Sequence, residues 1–124
     1  MRRIRVFLLV EAAAFAAAAL VHFGVLADGY QHREASIAES VIAAVLLVGL
    51  ALSWPLRSWV REVGVAAQGF ALFGTLVGIF TIAVGVGPRT VPDVVYHVGI
   101  VAVLAAGLAV ALRAPAGDAG RSAA

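Results

Sequence analysis

The sequence predicts an all-α integral membrane protein, built as an antiparallel bundle of four transmembrane helices with both termini in the cytoplasm. Three observations predict this fold class. Of the 124 residues, 63% are hydrophobic, four long apolar stretches alternate with short polar turns, and the arginines concentrate in alternate turns. Only 13% of the residues are charged, about half the usual share in a soluble domain. We therefore expect the lipid bilayer to surround most of the chain.

The first apolar stretch, residues 6–27, is long enough to cross a membrane. A helix of this length rises about 33 Å, which matches a hydrocarbon core of about 30 Å. A secretory signal peptide is the alternative interpretation, because the basic segment MRRIR precedes the stretch. The stretch exceeds the usual apolar region of a signal peptide and contains Glu11. We therefore predict that it is a membrane span.

Three further spans are predicted from the remaining apolar stretches, at residues 37–54, 59–86 and 91–112. Together the four spans form one transmembrane domain, residues 1–113. The last residues, 114–124, are small and polar, a composition that predicts a disordered cytoplasmic tail.

Two capping patterns mark where spans begin. Ser36 is followed three residues later by Glu39, which predicts a capping box at the start of the second span. Thr90 and Asp93 repeat this spacing at the start of the fourth span. On this interpretation, both acids serve their own helix as N-terminal caps.

The arginines predict the orientation of the bundle. If the N-terminus is cytoplasmic, seven arginines face the cytoplasm and two face outward: Arg2, Arg3, Arg5, Arg57, Arg61, Arg113 and Arg121 against Arg33 and Arg89. Short loops with excess positive charge stay in the cytoplasm. The sequence therefore predicts a multi-pass protein of the cell membrane, and its arginines are topology signals that indicate no nucleic-acid partner.

Four ionisable side chains are predicted to meet at the outer end of the bundle. The first span carries His22 near its end, the second begins near Glu39, and the fourth begins with Asp93 and His97. Imidazole and carboxylate groups suit zinc, iron or copper, and two imidazoles could also hold haem. We predict a shared site for a transition metal or a haem, with Asp93 as a ligand or as support to His97. The alternative is that the acids only cap helices and that His22 only bonds a neighbouring helix.

A second polar group is predicted nearer the cytoplasmic side. Glu11 lies within the first span and Gln68 lies at a matching depth in the third. An acid inside a span is costly, so we expect these two side chains to hydrogen-bond to each other. Gly74 and Gly78 form a GxxxG step, which predicts close helix packing inside the bundle or between protomers.

Three functions remain open from the sequence. The first is a binding or accessory module that uses the outer cluster. The second is a small proton-coupled transporter that uses Glu11. Four spans in a short chain with an acid in the first span resemble the small multidrug resistance exporters in outline, although the arginine bias differs from that of a dual-topology dimer. The third is a purely structural subunit of a homo-oligomer or a larger membrane complex. No catalytic motif is found, so an enzyme is the least favoured class.

Overall fold

The computed structural model describes residues 1–116, and these residues are helical apart from their turns and the last few positions. The four long helices are α1 (Arg2–His22), α2 (Arg33–Leu52), α3 (Val60–Ala83) and α4 (Val91–Arg113), with a short 3₁₀ helix at Arg57–Trp59 before α3. All four are long and apolar enough to cross a membrane, and residues 1–116 contain no strand. Most of the segment predicted as a tail, and with it Arg121, lies outside the described residues.

The interior of the bundle is a narrow stripe on each helix. On α1 the buried side chains recur every three or four residues, at Ile4, Leu8, Ala12 and Phe15. This spacing is the helical repeat, so one face of α1 points inward and the rest points outward. The outward faces carry large apolar side chains such as Phe73, which is 68% exposed. A helix that is apolar on all sides is typical of a membrane span.

Three helices end earlier than the sequence predicted, and in α1 and α3 the reason is a glycine in the left-handed conformation. Gly24 has a φ of +77°, and the amide of Gly24 bonds the carbonyl of Val21. This turn ends α1 at His22, five residues before Ala27. Gly85, with a φ of +88°, ends α3 at Ala83 in the same way. Glycine takes this conformation without the penalty that a Cβ imposes.

The second helix begins earlier than predicted, and the capping box assigned to Ser36 and Glu39 is wrong. The N-cap is His32, whose Nδ1 accepts a hydrogen bond from the amide of Ala35 at 3.2 Å. Ser36 is buried within the helix, and its hydroxyl donates to the carbonyl of Arg33. Glu39 therefore lies in the second turn of α2, where its carboxylate is free to act elsewhere.

The helices approach most closely where glycines lie on their inward faces. A Cβ added to Gly64 of α3 would lie 2.5 Å from Ile4 of α1. A Cβ added to Gly49 of α2 would lie 2.8 Å from the Cβ of Ala67.

Both contacts lie near the end of the bundle at which α1 begins, which we call the arginine end. The opposite end, at which α1 finishes in His22, is called the histidine end.

Candidate functional site

The histidine end holds a buried cluster of one imidazole between two carboxyl groups. The Nδ1 of His22 lies 2.7 Å from Oε2 of Glu39, and its Nε2 lies 3.0 Å from Oδ1 of Asp93. The three residues are 4%, 5% and 7% exposed, respectively. They come from α1, α2 and α4, so the cluster joins three of the four helices. We call His22, Glu39 and Asp93 the carboxylate–imidazole cluster.

Local structure places each member of this cluster. His22 is the last residue of α1, and its carbonyl accepts a hydrogen bond from the amide of His32, which fixes the following loop. Glu39 faces inward because α2 already begins at Arg33. Asp93 is held by the capping box with Thr90, which the sequence predicted and the structure contains. Asp93 therefore both caps α4 and contacts His22.

The hydrogen bonds of Asp93 determine the charge of the cluster. Its Oδ2 accepts hydrogen bonds from the amide and the hydroxyl of Thr90, and its Oδ1 faces Nε2 of His22. A carboxylate accepts hydrogen bonds at both oxygens. The contact between His22 and Glu39 also needs one hydrogen, which either group can carry. Either His22 is protonated on both nitrogens and Glu39 is a carboxylate, or His22 is neutral and Glu39 is a carboxylic acid. With Asp93 as a carboxylate, the cluster has a net charge of −1 in both arrangements.

His97 does not join the cluster, so the predicted convergence of His22 with His97 is only partly realised. The Nδ1 of His97 lies 2.7 Å from the backbone carbonyl of Asp93, one turn earlier in α4. A carbonyl only accepts, so Nδ1 carries the hydrogen and donates it. The carboxylate of Asp93 does not support His97 as predicted, because it is already engaged by Thr90 and His22. The other nitrogen of His97, Nε2, faces Gly78 on α3.

The predicted metal or haem site does not fit this arrangement. Among residues 1–116, no group of three or more histidine, cysteine, aspartate or glutamate side chains could hold a metal ion. A metal or a haem iron binds a ring nitrogen through its lone pair. Both nitrogens of His22 face carboxyl oxygens within hydrogen-bond distance, so neither is free to act as a ligand.

A cavity of about 570 Å³ lies beside the cluster, between α2, α3 and α4. Glu39 and His97 line it, together with apolar and small residues that include Phe15, Ile42, Gly74 and Gly78. We call this space the Glu39 cavity. The sequence does not reveal this cavity, because its volume depends on how far the helices separate. The only related signal in the sequence is the pair of glycines on α3, Gly74 and Gly78, whose spacing predicts helix packing.

Those two glycines differ in their surroundings. A Cβ on Gly74 would lie 3.0 Å from Ile42 of α2, which is a tight contact. A Cβ on Gly78 would lie 3.5 Å from Nε2 of His97, which is an ordinary distance. Gly74 therefore lets α2 and α3 approach closely, whereas Gly78 contributes open volume to the Glu39 cavity.

A second cavity of similar volume lies on the opposite side of the cluster, between α1 and α4. Its wall includes His22 and Asp93, several alanines of α1, and the aromatic rings of Tyr30 and Tyr96. The carboxylate–imidazole cluster therefore forms part of the wall between two cavities, with Glu39 on one side and Asp93 on the other.

The predicted pair of Glu11 and Gln68 is buried, but the hydrogen bond between them is not formed. Both residues are fully buried, and none of their side-chain oxygen and nitrogen atoms has a hydrogen-bond partner among residues 1–116. Glu11 instead points at α4, where its Oε1 occupies the space that a Cβ of Gly107 would need. The rotation of α1 against α4, which depth along the helix does not reveal, directs the carboxyl group away from the predicted partner.

One polar contact at the arginine end was not predicted. The Nε of Arg5 donates to the hydroxyl of Ser53 at 2.9 Å, and its guanidinium lies 5.2 Å from the ring centre of Trp54. An arginine side chain can donate a hydrogen bond and stack on an aromatic face at the same time because its guanidinium group is planar and weakly hydrated. This contact ties the beginning of α1 to the end of α2.

Comparisons with known proteins do not assign this chain to a family. No family model matches it, and neither a curated protein nor a solved structure matches it significantly. The function of this chain is therefore inferred from the geometry of residues 1–116.

Proposed function

We propose that this chain is a membrane-embedded binding protein that holds a small organic molecule in the Glu39 cavity. The observation that carries the proposal is the cavity itself, about 570 Å³ in volume, with Glu39 and His97 in a mostly apolar wall. Small-molecule sites are typically concave spaces of about 300–1,000 Å³ with a few polar groups among apolar side chains. The cavity has both properties.

The carboxylate–imidazole cluster serves this site as a rigid wall. It ties α1, α2 and α4 together through two short contacts to one imidazole. Buried polar networks of this kind hold one arrangement when every member is satisfied. With Glu39 fixed from one side by His22, its position relative to His97 is also fixed. A site with preorganised polar groups loses less entropy when a ligand binds.

The proposal includes an orientation in the membrane. We place both termini in the cytoplasm and the histidine end near the outer face, with α1 and α2 antiparallel. Two contacts support the antiparallel arrangement: the start of α1 meets the end of α2 at Arg5 and Ser53, and the end of α1 meets α2 near its start at His22 and Glu39. The arginine bias supports the orientation. A reporter enzyme that works only in the cytoplasm should be active when it is fused to the C-terminus. If instead only a reporter that works outside the cytoplasm is active there, the orientation is refuted.

Filling the cavity tests the proposed function. We expect the Gly78→Leu variant to lose binding, because its side chain would extend toward His97 into the open volume. Gly69→Leu on the same helix is the matched control, because a Cβ at Gly69 meets no atom of residues 1–116 within 4 Å. The assay is equilibrium dialysis of three cage-shaped probes, aminoadamantane, adamantanol and adamantane carboxylate, against protein in lipid nanodiscs. Protein-free nanodiscs give the amount that partitions into lipid.

The results distinguish a real site from partitioning. Saturable binding of at least one probe to the wild type and to Gly69→Leu, with loss in Gly78→Leu, supports the proposed function. If no probe binds saturably, or if Gly78→Leu binds as well as the wild type, the Glu39 cavity is not a binding site and the scaffold function is favoured.

A second candidate, proton-coupled transport, is supported by Glu11. Its two carboxyl oxygens are buried without a partner among residues 1–116, and an ionisable group inside a span suggests a functional role by default. If Glu11 carries protons, Glu11→Gln should fold normally but abolish probe-driven proton movement in proteoliposomes that contain a pH-sensitive dye. If the dye signal is the same for both proteins, Glu11 is a structural residue.

A further inference from the structure

We infer that the ligand of the Glu39 cavity is a compact apolar molecule with a primary ammonium group. Glu39 and Nε2 of His97 accept hydrogen bonds from this ammonium group. This inference rests on the proposed function and narrows it to one chemical class. Two independent properties of the cavity wall lead to it: the sign of its charge and its supply of hydrogen-bond acceptors.

The charged groups of the wall are acidic. Glu39 and Glu34 line the cavity, and none of the arginines among residues 1–116 does. The chain contains no lysine. Glu39 also belongs to the cluster, whose hydrogen-bonded form has a net charge of −1. Asp93 and His22 contribute to that charge from α4 and α1, while α3 contributes no charged side chain to the wall. A cation in this space gains attraction that is stronger in a low-dielectric interior than in water.

The uncharged polar groups of the wall supply acceptors more than donors. The hydroxyls of Thr75 and Thr81 already donate to the carbonyls of Ala71 and Gly78, each at 2.7 Å. His97 donates through Nδ1 to a backbone carbonyl, so in its neutral form Nε2 carries a lone pair and accepts.

Glu39 also has capacity to accept a further bond. His22 contacts its Oε2, and no other hydrogen bond to Glu39 is found among residues 1–116. His32 is the exception to this supply of acceptors. Its Nδ1 accepts a hydrogen bond from the amide of Ala35, so its neutral form carries a hydrogen on Nε2 and offers a donor there.

An ammonium group matches this set of acceptors better than the alternatives do. It has three donors and no acceptor, so Glu39 and His97 can both bind it. A carboxylate would place like charges together and would leave its own oxygens without donors next to Glu39, which costs free energy. A neutral hydroxyl could donate only one hydrogen bond. The apolar remainder of the ligand would contact Phe15 and Ile42.

The three probes used above share one cage and differ only in this group, so their ranking tests the inference. We expect aminoadamantane to bind about tenfold to a hundredfold more tightly than adamantanol, the ratio that one charge-assisted hydrogen bond gives. Adamantane carboxylate should bind most weakly. Glu39→Gln should weaken binding of the amine by about tenfold or more and leave binding of the alcohol within about twofold.

Two further variants keep the test decisive. His97→Leu should also weaken binding of the amine more than binding of the other two probes. This variant therefore tests the inference even if Glu39→Gln does not fold. Glu62→Gln, which removes an acid in the first turn of α3, is the charge control and should bind all three probes as the wild type does. If adamantanol or adamantane carboxylate binds as tightly as the amine, the inferred ligand class is wrong while the proposed function stands. If Glu39→Gln and His97→Leu weaken all three probes equally, the assignment of the ammonium contacts is wrong.

Discussion

Removal of the imidazole of His22 should destabilise this protein more than any conservative change elsewhere in the bundle. His22→Leu leaves Glu39 and Asp93 buried, and each loses its contact with the imidazole. Removing one partner of a buried ionic contact costs about 3–5 kcal/mol, mainly because the remaining charge is uncompensated. Asp93 keeps its hydrogen bonds to Thr90, so most of the loss arises at Glu39. We therefore expect a loss of about 3–5 kcal/mol in the free energy of unfolding.

The assay is equilibrium unfolding in mixed micelles of a mild detergent and dodecyl sulfate, followed by circular dichroism. His97→Leu is the matched control, since that imidazole is half-buried and makes one hydrogen bond to a backbone carbonyl, worth about 1 kcal/mol. A second control replaces both His22 and Glu39 by leucine, and its stability is compared with those of the two single variants, His22→Leu and Glu39→Leu. Apolar replacement of a whole buried ionic pair is often neutral, so the double variant should be more stable than His22→Leu alone. If His22→Leu costs less than about 1 kcal/mol, or if the two single effects simply add, the cluster does not hold the helices together.

Three other changes test separate parts of the fold by the same unfolding assay. Gly64→Ala should cost about 1–3 kcal/mol because its Cβ would press on Ile4, whereas Gly69→Ala on the open face of the same helix should be neutral or slightly stabilising. Equal effects at the two glycines would show that α1 and α3 are not in close contact there. Thr90→Ala should cost about 1 kcal/mol or more because it removes the N-cap of α4, and a smaller effect would contradict the capping box. Glu11→Gln should be as stable as the wild type or more so, because an uncharged amide replaces an acid that has no hydrogen-bond partner among residues 1–116. A loss above about 1 kcal/mol would show that Glu11 has a stabilising partner.

Hydropathy and capping patterns predicted the helices well because both depend on residues close together in the sequence. Four long apolar stretches became four helices, and Thr90 and Asp93 form the predicted capping box. The failure at Ser36 has a local cause too. His32, four residues earlier, also accepts an amide hydrogen bond, and starting the helix there allows Ser36 to be buried.

The candidate site was predicted only in part because depth along a helix does not determine rotation about its axis. Depth correctly brought His22, Glu39 and Asp93 to one level, and they are in contact. It also placed His97 there, but packing directs that ring toward Gly78 and the Glu39 cavity. The predicted hydrogen bond between Glu11 and Gln68 is not formed for the same reason. Both are buried, yet Glu11 faces Gly107. The cavity was not predicted, because its volume depends on all the contacts of three helices.

Nitrogen NMR of the three histidine side chains, with and without aminoadamantane, tests the central claim most directly. Single His→Gln variants assign the signals of His22, His32 and His97. We expect both ring nitrogens of His22 to be hydrogen-bonded before the amine is added. We expect Nε2 of His97 to change from an unbonded to a hydrogen-bonded acceptor as the amine saturates its site. A His22 nitrogen without a hydrogen bond would contradict the cluster. Saturating amine that leaves the His97 signal unchanged would contradict the binding site.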